Sequence, residues 1–521
     1  MKKTALAVAI ALATFNNAYA QTSEPAQATG LGDWSTTPVF TIGETIDGYT
    51  PPGIPDGMGA FERESTVEIF SNHELRATQG YPYSLANSTS LAGARISKLV
   101  FDKETRELLG MGPAYDTIYN RAGEIVDNAS DLDFGGLNRL CSAGSFVAGQ
   151  AGFVDDMFLT GEETGGGTEF ALDVANGDLW AAPWLGRAAW ESAAALEIPG
   201  FNRTHVAILV GDDRGDAPLL LYVGEKMPGG NFLERNGLTN GRLYMWVAND
   251  DSLSPADFNG TGEKRRGKFV EVENYNADAA GSADSQDDLG FDDLGFATQA
   301  ELDNQKVAIG AFNFSRPEDL HVNPKPGKGN QVVFASTGRD TSINEGADLW
   351  GTTYVVDVKI NPGRLRTDNI TADITIIYDG DDADKQDEGI RSPDNLVWAD
   401  DGFVYIQEDR SVSGFGEVSE EETSIWKLDP KTSKATRVAQ VDRSAVPAGQ
   451  EDTAPTDLGN WETSGIIDVT DEFDAKGERL LFFNVQAHSL SGGPIDSEKL
   501  VQGGQFLFLS KEEAKGKGRK R

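Results

Sequence analysis

The sequence predicts an all-β fold, and three observations support this prediction. Short segments rich in β-branched and aromatic residues recur along most of the 521-residue chain. Two of them form a strand, turn and strand pattern, in which residues 96–101 enter a D-x-x-T turn at 102–105 and residues 424–428 enter another at 429–432. The 59 glycines supply the many turns that such a chain requires.

Helical and loop signals are few by comparison. Helical periodicity is limited to two short segments, residues 188–196 and 299–305. Three long polar segments, 249–304, 379–387 and 442–460, are predicted to be loops. Many short strands with few helices favour a closed or radial architecture, because closure protects the sheet edges. No strict repeat is visible, so periodicity does not fix a number of blades.

The first 20 residues have the features of a secretory signal peptide. Lys2 and Lys3 form a basic start, an apolar stretch follows, and Ala18-Tyr19-Ala20 is an A-x-A cleavage site. The apolar stretch is too short to span a membrane and lacks a twin arginine. We therefore expect Sec-type export, to the periplasm or out of the cell.

Charge and length restrict the remaining organisation and the partners. The chain carries 83 acidic against 45 basic residues, a formal charge of −38, and such a surface repels nucleic acid and anionic membranes. We expect neither as a partner, and we expect a monomer. Residues 21–510 are predicted to form one domain, because a propeller can absorb this length as a closed unit, and residues 511–521 a basic tail.

Cys141 is the only cysteine, so no internal disulfide can form. It is a packing residue, an intermolecular partner or a functional thiol. With only four histidines, a histidine-rich zinc cluster is not expected, so that carboxylates must hold any metal. Carboxylates favour calcium or ferric iron, and a thiolate among them favours iron at one position.

A series of acidic motifs surrounds this cysteine in the sequence. In chain order the motifs are Asn72-His73-Glu74, Cys141, Glu162-Glu163, Gly186-Arg187 leading to Glu191, Arg316-Pro317-Glu318, Ser392-Pro393-Asp394-Asn395-Leu396, Glu462-Thr463-Ser464-Gly465 and Asn484-Val485-Gln486. The ordered set resembles the PhoX-type alkaline phosphatases, over roughly Val67 to Leu509. Each motif is weak alone, and the order gives the set its specificity.

The resemblance implies a six-bladed β-propeller, with long polar loops and a few short helices, around a central site for ferric iron and calcium. It implies that Arg316 holds the phosphate oxygens as a fork and that Asn72 donates to the same group. The metal ligands that it implies are Cys141, Glu162, Glu163, Glu191 and Glu318, with Asp394 and Glu462 as further candidates.

Each of these residues also has an ordinary structural interpretation. Arg316 alone would be interpreted as an ion pair with Glu318 or Asp319. Glu162-Glu163 alone is typical of a solvated turn, and Asp394-Asn395 of a turn that opens a strand. Two further acidic segments at strand ends, Gly211-Asp212-Asp213 and Gln407-Glu408-Asp409, are equally compatible with ligand and turn roles.

The function that follows is a secreted, metal-dependent phosphomonoesterase that releases inorganic phosphate from small phosphate esters. Metal ions would act as Lewis acids on the phosphoryl group, and Arg316 would stabilise its developing charge. No serine has an identifiable activating base. The alternatives are a phosphodiesterase, a phytase-like or lactonase-like propeller hydrolase, and a non-catalytic calcium-binding propeller.

Overall fold

The computed structural model describes residues 22–361 and 370–512 of the chain. The predicted signal peptide lies outside the described residues, as does most of the predicted basic tail. The last strand continues through Lys511 and Glu512, two residues beyond the predicted end of the domain. Among the described residues, no helix combines the length and the apolar character needed to cross a bilayer.

Strands dominate the structure, as the sequence predicts. The first half contains β1 (Ala28–Gly30), β2 (Ser35–Thr41), β3 (Pro55–Glu62), β4 (Thr66–His73), β5 (Tyr83–Ser84), β6 (Ser90–Leu91), β7 (Arg95–Asp102), β8 (Leu108–Pro113), β9 (Thr117–Tyr119), β10 (Leu140–Phe146), β11 (Met157–Gly167), β12 (Glu169–Asp173), β13 (Asp178–Ala181), β14 (Ala188–Ala195), β15 (His205–Asp212), β16 (Gly215–Ala217), β17 (Leu220–Glu225), β18 (Arg242–Ala248) and β19 (Lys264–Val272).

The second half contains β20 (Phe314–Ser315), β21 (Pro317–Val322), β22 (Gln331–Ser336), β23 (Thr352–Ile360), β24 (Ile370–Asp379), β25 (Pro393–Trp398), β26 (Val404–Glu408), β27 (Ser424–Asp429), β28 (Lys434–Val441), β29 (Glu451–Asp452), β30 (Trp461–Asp468), β31 (Glu478–Ala487), β32 (Leu490–Ser491) and β33 (Gly503–Glu512). The α-helices of the described residues are α1 (Phe232–Arg235), α2 (Gln299–Ile309) and α3 (Gly493–Ser497).

The long strands form antiparallel units that share one pattern. In the orders β3-β4-β7-β8 and β25-β26-β27-β28, each long strand pairs with the next long strand of the chain, and the short β5 and β6 lie outside this order. The same pattern runs through β10 to β13, through β14, β15, β17 and β18, and from β21 to β24. In the unit β30-β31-β33-β2, the outer strand comes from the N-terminus, and β1 likewise pairs with β28. The two ends of the described chain are thus joined to the same part of the molecule.

The first strands of these units lie next to one another. Contacts join β3 to β10, β10 to β14, β14 to β21, β21 to β25 and β25 to β30, and β30 also contacts β3. The apolar core lies between neighbouring sheets. One part of it is a group of rings, in which Phe101, Phe482 and Phe508 meet edge to face at centroid distances of 5.0 to 5.7 Å. These rings join β7 of one unit to β31 and β33 of another.

The two predicted hairpins are confirmed. In the turn between β7 and β8, Asp102 Oδ1 accepts the backbone N–H groups of Glu104 at 3.0 Å and of Thr105 at 2.8 Å. In the turn between β27 and β28, Asp429 accepts the N–H of Lys431 at 2.9 Å and the hydroxyl of Thr432 at 2.8 Å. The aspartate of each D-x-x-T turn therefore closes its own turn.

Of the two predicted helices, one is confirmed and the other is wrong. Residues 299–305 lie in α2, which Thr298 caps by accepting the N–H of Glu301 at 3.1 Å. Residues 188–195 form β14 instead, a strand whose side chains are all buried. Alanine favours helices when isolated, but tertiary packing on both faces of a central strand overrides this preference.

One predicted loop also contains regular structure. The segment 249–304 includes β19, which pairs with β18 and β24. Its charged side chains alternate with buried ones, because one face of the strand is solvated. The polar composition of the segment 249–304 therefore hides the strand from a prediction based on sequence.

Candidate metal and phosphate site

Acidic side chains and the thiol converge where the first strands lie together. Three overlapping groups have potential ligand atoms within 4.8 Å of one another: Asp56, Glu74 and Cys141; Cys141, Glu163 and Glu191; and Glu191, Asp213 and Glu318. We call these residues the carboxylate–thiol cluster. Cys141 and Glu191 each belong to two groups, so they join the cluster into one continuous arrangement.

A shared backbone device places five candidate residues. The antiparallel register shifts between Pro55 and Met58 on β3, and equivalent irregularities occur on β10, β14, β21 and β25. The residues within these irregularities are Asp56, Cys141, Glu191, Glu318 and Asp394. A β-bulge re-aims side chains and is common beside active sites. Similar local distortions on separate strands thus direct their side chains toward one region.

Glu191 has the least satisfied environment in the cluster. It is fully buried, and within the part of the chain that the structure describes neither carboxylate oxygen has a hydrogen-bond partner. Oδ1 of the buried Asp394 also lacks one. Burial, followed by repulsion from neighbouring carboxylates, raises the pKa of Glu191 and of Asp394 well above the usual range. Metal cations would satisfy these oxygens and allow both groups to ionise, so the residues fit a metal site.

Cys141 is buried and lies beside a carboxyl group that the sequence did not identify. Its Sγ is 3.3 Å from Oδ2 of Asp56, to which the thiol donates. Burial and then the charge of Asp56 raise the pKa of the Cys141 thiol. Asp56 also accepts from Ser464 Oγ and from Gln486 Nε2, each at 2.8 Å. Ser464 and Gln486, from the last two motifs, therefore fix the position of the Asp56 carboxylate by hydrogen bonds.

Arg316 lies at one side of the cluster and holds Asp213 at two points. Its Nε donates to Asp213 Oδ1 at 2.6 Å and its Nη2 to Asp213 Oδ2 at 3.0 Å. Nη2 is also 3.0 Å from Glu318 Oε1, and Nη1 donates to Ser411 Oγ at 2.6 Å. Burial alone would raise the pKa of Asp213, but Arg316 outweighs it and holds that pKa below its ordinary value.

The backbone and the neighbour of Arg316 fix this orientation. Arg316 adopts a φ of 71°, which is strained for a residue with a side chain. The ion pair with Glu318 that the sequence offered as an alternative is present. Asp319 is not the partner of Arg316, because its carboxylate accepts the N–H groups of Leu320 and Leu396, both at 2.8 Å.

Two predicted site residues, Asn72 and Glu162, have hydrogen-bond partners other than the groups predicted for them. The amide nitrogen of Asn72 donates to Cys141 O at 2.5 Å and to Thr160 Oγ1 at 2.8 Å, so it holds the backbone of the cysteine. Its contact with a phosphate stays a prediction. Glu162 accepts the N–H groups of Asn138 at 3.1 Å and Thr168 at 3.2 Å, outside the cluster.

Strand alternation explains the different positions of Glu162 and Glu163, because neighbouring residues of a strand point to opposite faces. Glu163 faces the cluster, and Glu162 therefore faces away. Burial raises the pKa of Glu162 to about 8, which its backbone donors only partly offset.

Glu462 and His488 form an ion pair next to the cluster. Glu462 Oε2 is 3.1 Å from His488 Nε2, and His488 Nδ1 is 2.7 Å from Gln502 Oε1. Burial raises the pKa of Glu462 to about 7. Burial alone would lower the pKa of His488, but its hydrogen bond to Glu462 raises it to about 9. The charge of Asp409 adds to the raised pKa of Glu462. Glu462 in turn adds to the raised pKa of Asp394.

Sequence reasoning missed several residues of this site. Asp56 stands in a Pro- and Gly-rich stretch that resembles a turn, and Arg139 and His488 belong to no recognised motif. Glu74 lies inside the Asn72-His73-Glu74 motif, and the sequence identifies Asp213 and Asp409 only as acids at strand ends. Their position directly after a buried strand was the available signal.

A separate cavity of about 260 Å³ lies along the same first strands. Ala143, Ala194, Leu320 and Ile466 contribute to its wall, together with His321. No member of the carboxylate–thiol cluster lines it. The chemistry of the side chains, rather than cavity size, identifies the site.

Comparison with known proteins places the chain in a family. The family described as alkaline phosphatase PhoX matches residues 178–466, more than half of the chain. The protein therefore belongs to the PhoX alkaline phosphatase family and is a phosphoric monoester hydrolase. The matched region contains Glu191, Asp213, Arg316, Glu318 and Asp394, whereas Cys141 lies before it. No curated protein matches the sequence.

Among solved structures, PhoX of Pseudomonas fluorescens in complex with vanadate, a transition state analogue, aligns with a TM-score of 0.62 at 16% identity, over 95% of this chain and 97% of that one. This similarity supports a shared fold. A variant of the Synechocystis apocarotenoid oxygenase aligns with a TM-score of 0.31 at 10% identity, over 88% of this chain and 89% of that one. A TM-score that low does not establish a shared fold.

Proposed function

We propose that the carboxylate–thiol cluster binds ferric iron and calcium and is the place where this phosphatase hydrolyses phosphoric monoesters. The observation that carries the proposal is the carboxylate of Glu191, which is fully buried, joins two of the three groups and has no hydrogen-bond partner for either oxygen among the described residues. An ionised carboxylate in that position requires cations. Divalent and trivalent metals supply the charge that its acidic neighbours cannot.

The donor atoms suggest how the metals are distributed. Cys141, Glu163 and Glu191 combine sulfur with oxygen, which suits iron. Glu191, Asp213 and Glu318 offer oxygen alone, which suits calcium. Asp394 and Glu462 would complete the coordination from the neighbouring strands. Glu162 is not included, because its oxygens are held by backbone N–H groups.

The reaction would combine metal chemistry with positioning by the chain. When bound, the metals would supply Lewis acidity toward the phosphoryl oxygens. Arg316 retains an unused N–H on Nη1 and would stabilise negative charge on the phosphoryl group. Asp213 would keep the Arg316 fork oriented before substrate arrives, so that no reorganisation is needed. The vanadate complex of the Pseudomonas fluorescens protein supports such a site in this fold.

We also propose that the architecture is a six-bladed propeller. Six four-stranded units and the contacts among β3, β10, β14, β21, β25 and β30 support this arrangement. Pairing of the N-terminal β1 and β2 with β28 and β33 also supports it, because closure of a radial fold requires that the start of the chain be joined to its last units. The cluster would then lie near the axis, where the first strands meet.

The protein is further proposed to be exported by the Sec route and to act as a monomer in the periplasm or outside the cell. The basic and apolar start with its A-x-A site supports export. Its strongly acidic composition supports the exclusion of nucleic acid and anionic membranes as partners. Small phosphorylated molecules would be the substrates.

Elemental analysis combined with substrate comparison tests the proposal. The purified protein should contain iron and calcium, and it should hydrolyse p-nitrophenyl phosphate much faster than bis(p-nitrophenyl) phosphate or a lactone. Chelation should abolish the activity, and added iron and calcium should restore it. Calcium without iron would contradict the assignment of Cys141, and preference for the diester or lactone would favour the alternative hydrolases.

A further inference from the structure

Arg139 is a second arginine that contacts the carboxylate–thiol cluster. Its Nη2 is 2.7 Å from Glu74 Oε1 and also donates to Glu163 Oε2. Its Nε donates to the backbone carbonyl of Glu163 at 3.1 Å. Both carboxylates belong to the cluster, and each lies in a group that contains Cys141.

The backbone of Arg139 is held as firmly as its side chain. Its N–H donates to Leu75 O at 2.7 Å, and its carbonyl accepts the N–H of Glu163 at 2.8 Å. The residue adopts a φ of 50°, in the left-handed region, two positions before Cys141. Such a conformation persists only where the surroundings impose it, so the direction of the side chain is fixed.

A count of donors distinguishes the two arginines. A guanidinium carries five N–H donors, one on Nε and two on each terminal nitrogen. Arg316 directs its Nε, both Nη2 donors and one Nη1 donor to Asp213, Glu318 and Ser411. Within the described residues, Nη1 of Arg139 has no hydrogen-bond partner, and its side chain is 31% exposed. These contacts therefore leave the two N–H donors on Nη1 unused, on a side chain that is partly exposed.

The two arginines lie at opposite ends of one pair of carboxylates. Arg139 binds Glu163, and Arg316 binds Asp213. The charge of Asp213 raises the pKa of Glu163, so the two carboxyl groups are close enough to interact. A phosphomonoester dianion approaching so acidic a site needs fixed positive charge besides the metals. Planar guanidinium groups are suited to phosphate, because they bind two oxygens at once.

We propose that Arg139 is a substrate-positioning residue that holds the phosphoryl oxygens of a phosphomonoester through Nη1, opposite Arg316. The proposal rests on the proposed function of the cluster. A diester carries one negative charge fewer on its phosphate than a monoester dianion. Arg139 thus contributes to the preference for monoesters.

The test compares Arg139→Met with Arg63→Met in the full chain purified with its metals. Arg63 is a matched control, because it is 34% exposed and also bonds two carboxylates, Glu68 and Asp156, outside the cluster. For Arg139→Met we expect KM for p-nitrophenyl phosphate and Ki for inorganic phosphate to rise about 10- to 100-fold, as the loss of a charged hydrogen bond implies. Iron and calcium content and Tm should match those of Arg63→Met.

Arg139→Lys separates positioning from simple support of Glu163. Lysine keeps the charge but not the fork, so it should retain metal while KM stays well above wild type. Unchanged KM and Ki in Arg139→Met, or a loss of metal in Arg139→Lys, would overturn the proposal and make Arg139 a structural partner of Glu163. Failure of the proposed function would be seen separately, as full activity of the wild-type protein without bound metal.

Discussion

The guanidinium of Arg316 and the carboxylate of Asp213 form a two-point ion pair, with Nε–Oδ1 at 2.6 Å and Nη2–Oδ2 at 3.0 Å. A carboxylate oxygen of Asp213 also lies within 4.8 Å of carboxylate oxygens of Glu191 and Glu318. One carboxylate therefore links the candidate phosphate-binding arginine to the candidate metal site. A change in either component should therefore affect the other. Metal content and kinetics, measured on the same variant, distinguish the two roles.

Arg316→Ala should lower kcat/KM for p-nitrophenyl phosphate by about 100-fold or more, because it removes a preorganised charge from the phosphoryl group. Glu191 and Glu318 remain, so iron and calcium content should stay near wild type by elemental analysis. Arg316→Lys should not restore the rate, since an ammonium cannot reproduce the two-point contact with Asp213. Wild-type kinetics in Arg316→Ala would place the active site elsewhere.

Glu191→Gln should act in opposite directions on the metal-free and metal-bound protein. Replacing a buried carboxylate that has no partner should raise the free energy of unfolding of the chelated protein by about 1–3 kcal/mol. The same change should remove a ligand, lower metal content and abolish activity, and it should reduce the stabilisation that metals give. Urea unfolding with and without chelator measures both effects. Equal destabilisation in the two states would contradict a metal role for Glu191.

Cys141→Ser should preserve the fold and lose iron selectively. The side chain is buried beside Asp56, and serine is close to it in size, so packing changes little. A neutral hydroxyl is a weak ligand compared with a thiolate. Iron and calcium are measured on the same sample, with circular dichroism to check the strands. Retention of iron with full activity would make Cys141 a packing residue.

Glu472 provides a pH prediction outside the cluster. Burial raises its pKa from 4.5 to about 7, and the charges of Asp468 and Asp471 add to this. The folded chain therefore binds a proton that the unfolded chain has released between pH 4.5 and 7. This contribution to stability is fully present below pH 4.5 and is lost as the pH rises through 7.

Glu472→Gln should abolish that loss. On going from pH 5 to pH 8, its free energy of unfolding relative to wild type should increase by an amount on the order of 1–3 kcal/mol. Urea unfolding at both pH values measures the change. Glu104→Gln, on the exposed turn after β7, is the control and should show no such difference. A parallel response of the two variants would mean that Glu472 ionises as freely as a surface residue.

Local sequence predicted those features that short segments determine. The hairpins at Asp102 and Asp429 follow from turns whose aspartate bonds its own backbone, and α2 follows from its Thr298 cap. The ordered set of motifs from Asn72 to Gln486 indicates the phosphatase family, which the family comparison confirms. By contrast, the helix predicted at residues 188–196 failed, because isolated helix preference does not include burial on both faces of a strand.

The sequence by itself determined the strand-rich class, the acidic surface and most of the candidate ligands. Only the tertiary structure decided which of these face one another. It turned Glu162 away from the cluster by strand alternation, engaged Asn72 with the backbone of Cys141, and brought Asp56 and Arg139 to the cluster. The physical reason is that side-chain direction here depends on register shifts in separate strands, and register is fixed by long-range pairing and packing that no local segment encodes.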